Sequence, residues 1–424
     1  MTIDRRTFLK LTSYAGLTAT GAWWLQGSNA RAQGEYRGPF FVTIHAGGGW
    51  DPTMLCDPKG RIDDNDNDPV NNFWADDILD IGPFRVAPVG SNQAFFQRFQ
   101  NDLLVINGID TQTNSHEAGT RHTWSGSMDS GMPSFSALAA AVADPRPALS
   151  FLSNGGYDET AGLVPPTRIP DVGAIQEIAF PEALDASNPD NPDSYLFTEA
   201  TRQRIRTARA ARHDRGMDSE TLPRVRRARN VLNNARAGEN ELAALTDFLP
   251  GSLDNSNNRL FRQAQVAMAC FKAGVTVSAN LSTGGFDTHG NHDQNQGNAL
   301  RTIVDGVTYL MDEAERQGIA DQVVVLVGSD FGRTPWYNDT NGKDHWTVTS
   351  FLAMGPGISG GRVVGATDEY YSPLKVNADS LAVDESGMRI RPGNIHASLR
   401  ELAGIADNPS VSRFAVGARL PLFG

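Results

Sequence analysis

The strongest constraint on this chain is a set of short, nearly unbroken apolar runs at residues 40–44, 103–106, 275–281, 323–327 and 349–354. Runs of that length without polar alternation suit strands covered on both faces, as in a parallel sheet with helices on either side. Helical patterns lie between them. Leu260, Ala264, Ala267, Met268 and Phe271 recur at helical spacing, and Gly274 is placed to stop that helix. Residues 299–317 put Leu300, Ile303, Val307, Leu310 and Met311 on one side, and Gly318 follows shortly before the fourth run, as in a βαβ unit. Asn394 is expected to cap a helix reaching Leu402. The expected fold is α/β, a mostly parallel central sheet flanked by helices.

With 424 residues, 40% of them hydrophobic and 20% charged, the chain has a globular composition and can bury one large α/β core. The formal net charge of −12 argues against a nucleic-acid binder held by bulk charge. Only 2 cysteines, Cys56 and Cys270, rule out a Cys-rich zinc module or a disulfide framework. A metal site would therefore be built from carboxylates and from the 8 histidines.

Residues 1–32 read as a transport signal. Asp4-Arg5-Arg6-Thr7-Phe8-Leu9-Lys10 precedes a mildly apolar stretch and then Ala30-Arg31-Ala32, a small-residue cleavage pattern. The ordered set resembles a twin-arginine signal, which implies the Tat translocase as a partner and a periplasmic or secreted destination. Gly16, Gly21 and Gly27 punctuate the stretch and disfavour a retained anchor, and with no other long apolar run no stable membrane insertion of the mature chain is expected. An oxidising destination would allow a Cys56–Cys270 bridge, although Cys270 also suits a small core position. Residues 33–424 are expected to form a single domain, with an Arg-rich helical insertion at about 200–247. That insertion reads best as a solvated helical hairpin whose arginines pair with the acidic surface, and otherwise as a cap over an anionic substrate or a docking face for a polyanionic envelope component. Asp64, Asp66 and Asp68 imitate the start of a calcium loop, but Pro69 stands where glycine is needed, so a solvated acidic loop is the better reading.

In an open parallel sheet, ligands bind beyond the carboxyl ends of the strands. The first run is followed by Gly47-Gly48-Gly49-Trp50-Asp51, the second by Asn114-Ser115-His116, and the third by Asp287, His289 and His292. Ser329-Asp330-Phe331-Gly332-Arg333 follows the fourth run, and Asp344-His345-Trp346 precedes the fifth. Asp and His gathered at one rim are what divalent cations require. Ser115, beyond a strand and before a helical stretch, is a candidate nucleophile and equally a candidate helix cap. His45 and His396 read as interior histidines.

Phe286-Asp287-Thr288-His289-Gly290, Ser329-Asp330-Phe331-Gly332-Arg333-Thr334-Pro335, Asp344-His345-Trp346, Gly48-Gly49-Trp50-Asp51 and Gly360-Gly361-Arg362-Val363-Val364-Gly365 form a specific set. On these motifs the chain resembles bacterial, often twin-arginine-exported proteins of unassigned function within the alkaline-phosphatase and sulfatase superfamily. The resemblance implies an alkaline-phosphatase-like sheet with a cap-like helical insertion. It also implies metal ligands among Asp51, Asp287, His289, Asp330 and His345, with Ser115 as nucleophile and Arg121 or Arg333 as oxyanion clamps.

This sequence departs from the superfamily pattern in three ways. Phe331 stands where a metal-binding histidine is usual, so Asp344 or His116 would have to substitute, or one ion would bind instead of two. The Asp287–His289 gap is short, which makes His292 an alternative ligand. No Cys-x-Pro-x-Arg context exists for formylglycine chemistry, while Ser-based chemistry stays open. The expectation is an exported, metal-dependent hydrolase of phosphate or sulfate esters. It would use one or two divalent ions, with Zn favoured over Mn, Mg or Ca, to activate Ser115 or water toward an anionic small-molecule or polymer ester. The competing expectation is a non-catalytic envelope protein that binds a metal or ligand and retains the fold.

Overall fold

A computed structural model of the protein describes residues 36–64, 68–147, 149–222, 225 and 242–424. Its strands are β1 (Phe40–Ala46), β2 (Leu79–Ile81), β3 (Phe84–Val86), β4 (Leu104–Asp110), β5 (Phe151–Ser153), β6 (Pro166–Thr167), β7 (Ser278–Thr283), β8 (Val323–Ser329), β9 (Gly332–Arg333), β10 (His345–Trp346), β11 (Val348–Met354) and β12 (Arg362–Val364). Every residue of β1, β4, β8 and β11 is buried, as apolar runs covered on both faces require.

Eight strands form one sheet in the order β12-β4-β11-β8-β1-β7-β5-β6. All neighbours pair in parallel except β11, which runs antiparallel to both β4 and β8. The reversal of β11 brings its leading end to the rim where β1, β4, β7 and β8 finish. Residues before β11 therefore meet residues after the other four.

Side chains alternate between two cores. Phe40, Val42 and Ile44 of β1 join a cluster with Leu260, Phe271, Ile303 and Val307. The helices Arg259–Lys272 and His292–Gln317 supply these partners, and Phe40 stacks on Phe271 with ring centroids 4.7 Å apart. Phe41 faces the other way, with Phe135, Leu138, Ile395 and Leu399 from the helices Phe135–Val142 and Pro392–Leu402. Each fully buried aliphatic side chain contributes roughly 1.5–3 kcal/mol of transfer free energy.

The helix expected over 299–317 begins earlier, at His292. Its first turns bury polar residues, His292 and Gln296, at 0% exposure, so apolar periodicity does not reveal them. Asn394 is not the cap of its helix. It lies inside Pro392–Leu402, and its Oδ1 accepts the Arg391 N–H at 2.9 Å. Gly274 (φ +67°) and Gly318 (φ +67°) both take the left-handed conformation that ends a helix.

Both cysteines are free and buried, so the Cys56–Cys270 bridge does not form; Cys56 Sγ instead faces Asn107 Oδ1 at 3.7 Å. The Arg-rich stretch includes the helix Glu199–Ser219, which buries none of its residues. Arg206 and Arg209 pair with Glu182, and Arg202 pairs with Glu199. The transport signal, Asp66 and most of 223–241 lie outside the described residues. Among the described residues, no helix is long and apolar enough to cross a membrane.

Candidate metal centre

The rim is organised around the turn that follows β1. Ala46 of β1 sits beside Ser329 of β8 in parallel register. Ser329 Oγ donates to the Ala46 carbonyl at 2.5 Å and accepts the Trp50 N–H at 2.9 Å. The next residue, Asp330, accepts the N–H groups of Gly48 (3.1 Å) and Gly49 (3.3 Å). Gly48 has φ +119°, and a Cβ there would lie 2.5 Å from the Asp287 nitrogen. Only glycine lets these two loops touch.

Three histidines converge on one carboxylate oxygen. Asp287 Oδ1 lies 3.1 Å from His345 Nε2, 3.1 Å from His289 Nε2 and 3.6 Å from His116 Nε2. Ligating atoms of His116, Asp287 and His345 all fall within 4.8 Å of one another. Each imidazole is fixed through its other nitrogen. His116 Nδ1 meets Asp330 Oδ2 at 2.6 Å, His289 Nδ1 meets Asp344 Oδ1 at 2.8 Å, and His345 Nδ1 meets the Asn114 carbonyl at 2.8 Å. All three partners are acceptors, so each Nδ1 carries a proton, and each Nε2 is turned toward Asp287 Oδ1.

The local sequence explains how these groups arrive. β9 and β10 pair antiparallel with His345 opposite Arg333, which folds the loop before β11 back over the rim. His116 opens the helix His116–Ser125. Gly119, three residues on, lets that helix settle against β8, because a Cβ there would stand 2.5 Å from the Asp330 carbonyl oxygen. The Phe331 ring, fully buried, packs at centroid distances of 4.9 Å from His116 and 4.6 Å from His345.

Asp287 is held from behind by Arg333, whose side chain is 0% exposed while that of Asp287 is 50% exposed. The guanidinium donates to Asp287 Oδ1 at 2.7 Å, to the Gly49 carbonyl through Nε at 2.9 Å, to the Lys343 carbonyl at 2.9 Å, and to the Gly48 carbonyl. Desolvation alone would raise the Asp287 pKa, but hydrogen bonds from Arg333 and His345 bring it down to about 2. The Asp330 hydrogen bond raises the His116 pKa above its ordinary value. The result is an open cluster on a buried, charged backing.

Asp51 and His292 lie in a second, fully buried cluster. Asp51 Oδ2 receives the Lys343 ammonium at 2.6 Å and faces His292 Nε2 at 2.9 Å, while Oδ1 accepts from the Thr53 hydroxyl at 2.6 Å. Lys343 Nζ also donates to Asn71 Oδ1 at 2.8 Å. Burial would push the Asp51 pKa up, yet Lys343 and His292 hold it well below the usual carboxylate range. The cation that answers Asp51, expected as a metal ligand, is in this structure the Lys343 side chain. His292, the alternative ligand, is buried with Asp51, hydrogen-bonded to it and to Thr288 Oγ1 at 2.7 Å, apart from the converging group.

The remaining expected site residues divide clearly. Asp287, His289 and His345 stand in the converging group, which His116 completes; Asp330 and Asp344 orient histidines from one step behind. Ser115 occupies the N-cap position, but its side chain makes no capping bond and is exposed. Arg121, expected as a clamp, is engaged by Glu117 at 2.6 Å and the Met128 carbonyl at 2.7 Å, away from the converging group. Arg333 has its donors engaged by backbone and Asp287, which makes it a positioning residue. His45 is interior, accepting from Trp124 Nε1 at 3.0 Å; His396 is interior too, bonded to the Thr123 carbonyl at 2.8 Å. Lys343, Thr53 and Asn71 were not legible in the sequence, since a lysine between Gly342 and Asp344 looks like ordinary loop surface.

A family model described as a protein of unknown function (DUF1501) matches residues 41–414. No curated protein matches the sequence. Among solved structures, the chain is similar to the sulfatase PsFucS1 from Pseudoalteromonas sp., at 10% identity, with 98% of this chain and 75% of that chain covered and a TM-score of 0.40. It is similar to the lipoteichoic acid synthase LtaP from Listeria monocytogenes, at 9% identity over 94% and 78% of the two chains, TM-score 0.39. A Mg-bound variant of TAB5 alkaline phosphatase is similar at 10% identity over 88% and 99%, TM-score 0.37.

Proposed function

This chain belongs to the DUF1501 family, whose function is unknown, and we propose that its rim cluster holds a divalent metal ion and hydrolyses phosphate or sulfate esters. The observation that carries the reading is the convergence of three Nε2 atoms on Asp287 Oδ1, each imidazole oriented through Nδ1 by an acceptor. Three ring nitrogens and a carboxylate oxygen this close need protons or a cation among them. Histidines fixed through the far nitrogen by carboxylate or carbonyl are the arrangement that metal ligation uses.

His116, Asp287, His289 and His345 would hold the ion, a nitrogen-rich set that suits Zn or a similar metal. A bound ion would supply Lewis acidity toward an ester oxygen. The residues of the chain do the rest. Asp330 and Asp344 keep the His116 and His289 protons on Nδ1. Arg333 holds the Asp287 carboxylate in place and ionised. Ser115 offers an exposed hydroxyl beside His116, at a helix N-terminus whose free N–H groups favour a developing negative charge. A water molecule is the alternative nucleophile.

The reading includes export by the twin-arginine pathway to the periplasm or the exterior, supported by Arg5-Arg6 and Ala30-Arg31-Ala32. Replacing Arg5 and Arg6 with lysine should hold the chain in the cytoplasm; unaltered export would remove that part. A second reading, a non-catalytic metal-binding protein, is favoured by Phe331 and Lys343, which occupy places where a second ion and its ligand were expected.

The deciding experiment measures the metal content of the purified protein alongside hydrolysis of aryl phosphate, phosphodiester and sulfate substrates. Bound metal with turnover supports the hydrolase, and bound metal without turnover supports the binding protein. Neither metal nor turnover, after reconstitution with Zn, Mn, Mg and Ca, would overturn both.

A further inference from the structure

Asp344 and His345 reach the rim at the end of the segment between β9 and β10, and the composition of that segment gives it little to hold on to. Residues 338–344, Asn-Asp-Thr-Asn-Gly-Lys-Asp, include no apolar side chain. Of residues 336–347, only Gly342 and Lys343 are buried. Gly342 is there because a Cβ would collide with the His289 carbonyl. Lys343 is therefore the one side chain of this stretch that enters the interior.

Its anchor is a charge. The Lys343 side chain runs inward to 0% exposure. There its ammonium meets Asp51 Oδ2 at 2.6 Å, Asn71 Oδ1 at 2.8 Å and, more distantly, Thr53 Oγ1 at 3.5 Å. Three acceptors answer the three protons of an ammonium. The main chain of the same residue ties in two further segments. Its N–H donates to the Thr288 carbonyl at 3.1 Å, and its carbonyl accepts from Arg333 at 2.9 Å. Thr288 immediately precedes His289, and Arg333 backs Asp287. Lys343 thus joins the segments that follow β1, β7 and β8, one residue before Asp344 and two before His345.

Stability alone does not account for a lysine at this point. A buried ion pair is often no more stable than an apolar pair of similar volume, so its use here calls for another reason. A methionine would fill the space in several conformations, whereas an ammonium among fixed acceptors accepts one. A slip of one residue would bring Asp344, a second carboxylate, against Asp51, and would carry His345 away from Asp287. The charge pair sets the register of the loop.

We infer that Lys343 is a positioning residue of the rim centre: its bond to Asp51 fixes the register that delivers Asp344 to His289 and His345 to Asp287. The inference rests on the metal reading of the rim. It adds that affinity for the ion depends on a buried charge pair that, among the described residues, bonds to none of the four ligands.

The test uses the full chain and the metal alone. Zn affinity is measured by competition against a chromophoric chelator, and Co(II) is followed by its visible absorption, which reports ligand geometry. Asp51→Asn keeps an acceptor for the ammonium and removes the charge. Asp51→Asn combined with Lys343→Met removes both charges together, so neither is left buried alone. Leu399→Ala, in the core on the other face of the sheet, lowers stability without touching the pair. The expected result is a Zn affinity lower by about tenfold or more in both Asp51 variants, with shifted Co(II) bands, in protein that circular dichroism shows to be folded. Leu399→Ala should bind both ions as the native chain does. If one Asp51 variant fails to fold, the other carries the reading. Native affinity and Co(II) bands in the Asp51 variants, affinity restored in the double variant, or an equal loss in Leu399→Ala would overturn this inference and leave the metal reading standing. A native chain that binds neither ion would overturn both.

Discussion

His289 Nε2 stands 3.0 Å from His345 Nε2, and both rings are held through Nδ1, one by Asp344 and the other by the Asn114 carbonyl. Two ring nitrogens at that distance need a proton or a metal cation between them, and the proposed metal centre supplies the cation. The relation joins two loops 56 residues apart in sequence, and the first prediction follows from it.

Asp344→Asn and Asp330→Asn should each lower metal affinity by about 10–100-fold without removing a ligand, since they loosen the tautomer and orientation of His289 and His116. Competition titration against a chromophoric chelator reads the change. Unchanged affinity in both variants would mean that these carboxylates do not support a metal centre.

Ser115→Ala should reduce ester hydrolysis on the order of 10³-fold or more if the hydroxyl is the nucleophile, leaving metal content as it was. The exposed, uncommitted side chain means that stability should hardly move. Full activity in this variant assigns the attack to water.

Lys343→Met should destabilise the fold by about 3–5 kcal/mol at neutral pH, because it leaves the Asp51 carboxylate buried without its cation. The sign of the pH dependence follows from the lowered Asp51 pKa. In the native chain the Asp51 contribution is complete above the ordinary value of 3.8 and fades as pH falls toward the lower folded value. In the variant, burial would favour the protonated acid, so the stability deficit should narrow in acid. Denaturant unfolding at pH 7 and pH 4 measures both, and a deficit independent of pH would contradict this account.

Replacing Arg206 and Arg209 with glutamine should leave KM for anionic substrates unchanged. Both pair with Glu182 at exposed positions, where each interaction is worth ~0–1 kcal/mol. A raised KM would instead make the helix Glu199–Ser219 a cap over the substrate.

Much of the scaffold was legible because its signals are local. The runs that became β1, β4, β8 and β11 are apolar at consecutive positions, a pattern only double-sided burial rewards, and Gly274 and Gly318 end helices through their own left-handed backbone. The residue types at the rim were legible too, since Asp287, His289 and His345 follow or precede those runs directly. Roles were less so. Asp51 and Asp287 look alike in sequence, each an aspartate in a glycine-rich loop beyond a strand. One is sealed at 0% exposure against Lys343, and the other is half open to solvent against Arg333.

The sequence by itself determined the class of fold, the rim at which polar residues would collect and the kinds of atoms available there. Tertiary structure alone decided which of them converge. The antiparallel course of β11 carries His345 to the rim, Gly119 lets His116 approach Asp330, and Lys343 withdraws Asp51 into the interior. Each outcome depends on distances between loops far apart in the chain, and periodicity and residue type cannot encode those until the sheet sets its order and direction.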